Sequence, residues 1–341
     1  MLEYANYIAR CLQIARLGAY YVAPNPMVGA VLVAETNGQE RIIGEGWHRQ
    51  YGGPHAEVNC FASVKPEDVQ LSPQSTLFVS LEPCSHYGKT PPCADLIVAK
   101  GVKRVVVGQL DPNPQVRGKG IAKLRAHGIE VVVGVEEAAC RELNKRFLCL
   151  HEKHRPYVTL KWAQTADGFL DAKRKLPAAG EHAVSEPITI STPLTKQMVH
   201  RMRAENMAIL VGSTTALLDN PGLKTTRWAG RNPIRVLLDR RHRVPEDSKI
   251  FSDETETIVY RERTSWKFVV RDLAKRGIHS VLVEGGAKVL NHIIKSGIYD
   301  EIDVEVSPVK IGKGVPAPEV ELKNGRLCDG HWCYTIRHEA K

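Results

Sequence analysis

Apolar residues recur at helical spacing from Leu2 to Leu17, with Ile8, Leu12 and Ala15 on one stripe, and predict an amphipathic helix. Val28–Val33 and Arg41–Gly46 follow as strand candidates, and His55–Val64 as a helix whose first turn carries His55 and Glu57. Leu77–Leu81 is a short continuous apolar run of the kind that makes a buried strand. It ends at Glu82-Pro83-Cys84, and a loop leads to Pro91-Pro92-Cys93, where prolines open another helix. Val102–Gly108, Ile121–Ala126 and Ile129–Gly134 predict strand, helix and strand, and Glu136–Leu150 a closing helix. Strands alternating with helices indicate α/β layers.

The pattern changes after Leu150. His151–Pro156 is a charged, proline-terminated connector, so the expected domains are 1–150 and 151–341. The second half has strand candidates at Tyr157–Trp162, Ala208–Gly212, Ile234–Asp239, Ile258–Tyr260, Ser280–Glu284 and Glu301–Val306. Helical patterns at Pro193–Ala204, Trp266–Arg276 and Ala287–Lys295 fall between them, giving a second α/β unit. Lys173–Glu186 has no regular pattern and is expected to be a mobile loop.

At 341 residues and 43% hydrophobic, the chain can bury two cores. No run approaches the roughly 18–20 apolar residues that span a bilayer, and the first residues lack the pattern of a secretory signal. A soluble, cytoplasmic protein is expected, with no membrane partner. Eight cysteines in such a length suit metal or core roles better than a disulfide framework. The formal charge of +9 fits either a nucleic-acid surface or attraction of small phosphorylated ligands. The basic residues are dispersed and aromatics are only 6%, which favours the small ligand over nucleic acid.

A water-activating zinc site needs three protein ligands and an open position. His55-Ala56-Glu57 supplies an imidazole and a carboxylate at a helix start, and Cys84 and Cys93 each follow a proline at a loop–helix transition. Thiols near helix N-termini lose their protons more readily. His55, Cys84 and Cys93 are therefore the candidate zinc ligands. Glu57, not itself a ligand, is the candidate general acid/base, the division of labour of zinc deaminases. The other six cysteines lack such company.

Pro24–Gly29, Gly46-Trp47-His48, Pro54–Glu57, Leu81–Cys93 and Asp111–Pro114 together resemble the bifunctional riboflavin-biosynthesis deaminase/reductase family. That family lies within the cytidine-deaminase-like superfamily, whose usual short Cys-x-x-Cys is replaced here by eight intervening residues. The resemblance implies a three-layer α/β/α first domain acting on a phosphorylated ribosylaminopyrimidine. It further implies that Asn25, His48 and the Ser85–Thr90 loop, with Lys89, contact the substrate, His48 and Lys89 on its phosphate side.

A dinucleotide site wants a strand ending in glycine and opening onto a helix N-terminus, and Val281–Val289, with Gly285-Gly286 at its centre, has that form. No G-x-G-x-x-G fingerprint is present, which disfavours an ordinary Rossmann dehydrogenase. Leu160–Gly168, Arg203–Glu205, Ile209–Pro221 and Val283–Gly286 are similar to the family's NADPH-using reductase domain, of dihydrofolate-reductase-like α/β fold. The resemblance implies NADPH contacts at Gln164, Thr189, Thr215, Asp219, Gly286, Ala287, Lys288, Val289 and Leu290. It implies substrate contacts at Lys161, Arg203, Leu223, Arg227 and Glu284, and a homo-oligomer. Guanidinium forks suit a 5′-phosphate.

Many family members carry Ser-x-Trp-Ile-Thr/Ser where this chain has Pro187–Thr192, so cofactor packing around Thr189 is expected to differ, with the Ser191 and Thr192 hydroxyls still on offer. Two alternatives stay open from sequence: a deaminase with a degenerate reductase half, and a nucleic-acid base deaminase, which a salt-sensitive shift of RNA or DNA would reveal.

Overall fold

Alternation along β1 (Gly29–Thr36) sends Val31 and Val33 to one side of a sheet and Ala30, Leu32 and Ala34 to the other. Both faces are therefore apolar, and both are covered by helices. A computed structural model describes this arrangement over residues 2–85, 91–114, 116–178 and 185–338. The chain divides into two units, Met1–Lys153 and His154–Lys341.

The first unit runs α1 (Leu2–Ala15), β1, β2 (Gln39–Trp47), α2 (Ala56–Ala62), β3 (Thr76–Leu81), α3 (Cys93–Lys100), β4 (Arg104–Gln109), α4 (Lys119–Ala126), β5 (Glu130–Val133), α5 (Glu137–Leu143) and α6 (Lys145–Lys153). Its sheet has the order β2-β1-β3-β4-β5, antiparallel from β2 to β3 and parallel from β3 to β5. Ile8, Cys11 and Leu12 of α1 and Cys140 of α5 pack on one face; Cys60 of α2, Ile97 of α3 and Leu124 of α4 pack on the other. This is a three-layer α/β/α sandwich. The single helix expected over Glu136–Leu150 is in fact two, α5 and α6, interrupted at Asn144. The nine-residue stretch Pro66–Gln74, unassigned from sequence, forms a 3-10 helix.

The second unit runs β6 (Tyr157–Gln164), β7 (Phe169–Asp171), α7 (Pro193–Glu205), β8 (Ala208–Gly212), α8 (Ser213–Asp219), β9 (Ile234–Leu238), β10 (Thr257–Tyr260), α9 (Trp266–Lys275), β11 (Ser280–Val283), α10 (Ala287–Ser296), β12 (Glu301–Val306), β13 (Val315–Pro316), β14 (Arg326–Cys328) and β15 (His331–Arg337). The main sheet has the order β10-β9-β8-β11-β6-β12-β15-β14, parallel through β12 and closed by the antiparallel β15 and β14; β13 and β7 pair separately. α9 and α10 pack on one face, through Val269, Leu273, Leu290 and Ile293. Met202 of α7 and Leu217 of α8 cover the other. The parallel strands β8, β9 and β11 all end on one edge, where α/β sheets place ligands. Among the described residues no helix is long and apolar enough to cross a membrane.

Candidate active sites

His55 sits at the extended N-cap of α2, Cys84 three residues past the end of β3, and Cys93 at the first position of α3. Three separate elements thus deliver three donors to one point. The His55 Nδ1 lies 3.3 Å from the Cys93 Sγ and 3.6 Å from the Cys84 Sγ, and all three donor atoms fall within 4.8 Å of one another. A tetrahedral zinc with bonds of about 2.0–2.1 Å to nitrogen and about 2.3 Å to sulfur would set those atoms roughly 3.5 Å apart. The donor set and its spacing fit the ion. The Cys93 amide also donates to the Cys84 sulfur at 3.3 Å. Hydrogen bonds from Cys93 and then His55 pull the Cys84 thiol down to about 4, toward the thiolate a metal requires.

One turn of α2 carries Glu57 to the same place. Its carboxyl is 3% exposed, and burial, reinforced by the negative charge of Cys84, holds its pKa above the ordinary value. α2 can lie this close to the sheet because Gly46 of β2 has no side chain beneath it. A cavity of about 380 Å³ opens above the donors, lined by Asn25, His48, His55, Glu57, Glu82 and Asn113 among others.

His48 is buried and engaged at both ring nitrogens. The Pro54 carbonyl, 3.0 Å from Nδ1, can only accept, so Nδ1 carries the proton and Nε2 accepts from the Asn25 amide at 3.0 Å. Burial lowers the His48 pKa and keeps the ring neutral. His48 lines the cavity, where a substrate contact is expected of it, and its ring orients Asn25. Lys89, expected beside it, lies outside the described residues.

Two residues to which sequence reasoning assigned no role complete this site. Glu82, 4% exposed, accepts the backbone N–H groups of Asp111, Gly118 and Gly120 at 3.0–3.2 Å, which ties the Asp111–Gly120 segment to the Cys84 loop. Asn144, at the α5–α6 break, accepts from the Met27 amide at 2.8 Å and donates to the Met27 carbonyl at 2.9 Å. It holds the Pro24–Met27 segment that presents Asn25.

In the second unit, a cavity of about 790 Å³ lies at the carboxyl ends of β8, β9 and β11, and Thr215, Gly286, Ala287, Lys288 and Val289 line it. Gly286 caps α10 at φ 69°, and a side chain there would meet the Thr215 hydroxyl. Arg240, Arg241 and Arg243, a basic run directly after β9 that sequence reasoning passed over, line the same cavity. Backbone N–H groups at a helix start and a cluster of guanidinium groups suit the phosphates of a dinucleotide.

Other expected cofactor contacts do not line that cavity. The Leu290 side chain is 1% exposed in the core, leaving only its backbone for a ligand. Asp219 is held by Arg174, which also bonds Asp171 and the Leu218 carbonyl. Gln164 accepts from the Trp162 indole at 2.8 Å, and Thr189 is exposed. The hydroxyls expected to be on offer are engaged: Ser191 donates to Glu305 at 2.6 Å, and Thr192 caps α7.

Of the expected substrate contacts, Arg203 and Glu284 form a two-point ion pair at 2.8 and 2.6 Å. Lys161 on β6 faces them and Glu305; its charge is among those that offset burial at both carboxylates. The Leu223 side chain is buried in the core and its backbone is left-handed at φ 53°, so of Leu223 itself only the main chain is open to a ligand. Arg227 is exposed on the same loop.

A family model described as the RibD C-terminal domain matches residues 156–333, and one described as the cytidine and deoxycytidylate deaminase zinc-binding region matches residues 2–109. The riboflavin biosynthesis protein RibD of Aquifex aeolicus (strain VF5) is 36% identical over 94% of this chain and 91% of its own length. That of Escherichia coli (strain K12) is 34% identical over 90% of this chain and 88% of its own. Among solved structures, Acinetobacter baumannii RibD (form 1) superposes with a TM-score of 0.85 at 32% identity, covering 99% of both chains. A Thermotoga maritima protein described as a diaminohydroxyphosphoribosylaminopyrimidine deaminase/5-amino-6-(5-phosphoribosylamino)uracil reductase superposes at 0.83 with 37% identity, covering 98% of both. Matched over more than half its length by one domain of that family, and over most of it by whole-chain relatives, the chain belongs to the RibD family of riboflavin-biosynthesis proteins.

Proposed function

We propose that the chain performs two consecutive steps of riboflavin biosynthesis. Residues 1–150 deaminate 2,5-diamino-6-ribosylamino-4(3H)-pyrimidinone 5′-phosphate by hydrolysis, and residues 151–341 reduce the ribosyl chain of the product to ribityl with NADPH. The observation that carries this reading is the convergence of His55, Cys84 and Cys93 beside buried Glu57 at the floor of a cavity, in a chain whose relatives match it throughout.

In the first unit, His55, Cys84 and Cys93 hold zinc, which when bound supplies the Lewis acidity that brings water's deprotonation toward neutral pH. Glu57 takes one proton from the water and gives it to the ring nitrogen, then takes the second from the same oxygen and gives it to the departing ammonia. Its buried, raised-pKa carboxyl is suited to both directions of transfer. Asn25, oriented by neutral His48, recognises the pyrimidine.

In the second unit, Thr215 and the Gly286–Val289 turn cradle NADPH, the hydride donor. Lys161 meets the sugar chain, while Arg203 and Arg227 bind the 5′-phosphate. The reading carries with it a cytoplasmic location and a homo-oligomer, the second of which sedimentation of the purified chain tests.

Metal analysis, ammonia release from the diaminopyrimidine and NADPH oxidation with the deaminated product test the proposal together. Zinc near one per chain and both turnovers are expected. Ammonia release without NADPH oxidation would leave a deaminase with a degenerate second half.

A further inference from the structure

The segment Gly222–Arg227 contains no helix or strand, yet side chains hold it along its length. Arg235 donates to the Gly222 carbonyl at 3.1 Å, and Arg203 to the Lys224 carbonyl at 3.0 Å. Asn232 accepts from the Thr225 amide at 2.8 Å. Two further amides, of Thr226 and Arg227, both point at one atom: the Nδ1 of His200 on α7, at 3.0 and 3.4 Å. Amide N–H groups only donate, so Nδ1 must present its lone pair and the ring proton must sit on Nε2. An imidazolium would carry a proton on Nδ1, directed at two further donors.

We infer that His200 is a positioning residue of the reductase site: in its neutral form alone it fixes the Thr226–Arg227 backbone, and so aims Arg227 at a phosphate monoester on the substrate. This rests on the reading that Arg227 meets the substrate phosphate. The groups facing the ring are Arg203 of the same helix, Arg227 of the loop and Glu284 beyond β11. Burial first, then the two arginines, favour the neutral ring, while Glu284 opposes them. Protonation therefore belongs below the ordinary imidazole range, and acidification through it releases the loop.

The test uses the full chain. Steady-state KM for the deaminated phosphorylated intermediate, kcat, NADPH affinity by fluorescence, and hydrogen exchange of peptides spanning 222–228 are followed from pH 5 to 8. Wild type should hold KM level near neutrality and raise it on acidification, with exchange in 222–228 rising in step and NADPH affinity flat. His200→Phe, which lacks the acceptor, should raise KM about tenfold at neutral pH, the size expected for two lost hydrogen bonds, with kcat little changed. His200→Gln, whose amide oxygen accepts but does not titrate, should restore KM and remove the acid rise. An acid rise that persists in His200→Gln, or unaltered KM and exchange in His200→Phe, overturns the inference. Should the phenylalanine variant not fold, the glutamine pH profile decides alone. Arg227→Ala separates the two layers. If it raises KM while His200→Phe does not, the inference falls and the phosphate reading stands. If Arg227→Ala leaves KM unchanged, both fall.

Discussion

Gly46 of β2 and Cys60 of α2 meet backbone to backbone: a β-carbon on Gly46 would lie 2.1 Å from the Cys60 nitrogen and 2.6 Å from the Ala56 carbonyl oxygen. Neither neighbour is a side-chain tip that could swing aside. Gly46→Ala must therefore push α2 off the sheet, carrying His55 and Glu57 with it. Overpacking of this kind costs about 1–3 kcal/mol or more. The expected outcome is reduced stability of the first unit in urea, with zinc content well below wild type. Wild-type zinc and stability in this variant would refute the packing argument.

Glu57→Gln tests the proton-transfer role. The substitution keeps the shape of the side chain and leaves His55, Cys84 and Cys93 untouched, so zinc should be retained. The amide cannot shuttle a proton, and deamination should fall by about 10²–10⁴-fold. Ammonia release and metal content on the same sample decide it; activity within a factor of ten of wild type rules the role out.

Gly286→Ala addresses the second cavity. At φ 69°, ψ 138° the backbone lies where side-chain-bearing residues are strained, and the added carbon would sit 3.0 Å from the Thr215 hydroxyl. Strain of about 1–3 kcal/mol at the mouth of α10 should weaken NADPH at least several-fold in a fluorescence titration. Ammonia release should be unchanged.

Arg203→Ala probes a buried ion pair. Burial pushes the Glu284 carboxyl up, but the charge and hydrogen bonds of Arg203 outweigh it and hold Glu284 below its ordinary value of 4.5. A carboxyl depressed on folding contributes stability that is complete above that value and is lost as pH falls through the depressed one. Removing Arg203 leaves the buried carboxylate without its two hydrogen bonds and with only the Lys161 charge against burial, a loss of up to about 3–5 kcal/mol at pH 7. Protonation of the stranded Glu284 relieves it, so the gap between variant and wild type in urea unfolding should narrow from pH 7 to pH 4. A gap of constant size would show that the pair does not titrate as described.

What the sequence discloses and what it hides divides along physical lines. The central strands read directly, because a strand covered on both faces is an apolar run, as in Leu77–Leu81 and Ala208–Gly212. The β14–β15 hairpin does not: after buried His331 the strand to Arg337 is half-exposed or exposed throughout, and its Trp332 and Tyr334 sit among polar residues with no clean alternation. α8 follows β8 with no residue between them, so no turn signal marks its start. In the first cavity, the grouping of His55, Cys84 and Cys93 is legible because metal donors are few and chemically distinctive. Glu82, Asn144 and His200 are not legible. Their partners are backbone amides 26 to 117 residues away, and no pattern of residue types marks a side chain that serves a distant main chain.

The bond between Asn144 and Met27 sets where the first catalytic body must end. The zinc donors, the general acid/base and all five strands lie before Gly134, and the zinc-binding family match stops at residue 109. A fragment cut after β5 would keep all of these yet lose the amide that supports the Pro24–Met27 segment, and also Phe147 and His151 from the cavity wall. Such a fragment could still capture a metal ion while having no rigid seat for the pyrimidine. The two short helices that follow the sheet are thus the back wall of the substrate site, and a separately expressed first unit has to extend through α6 to Lys153.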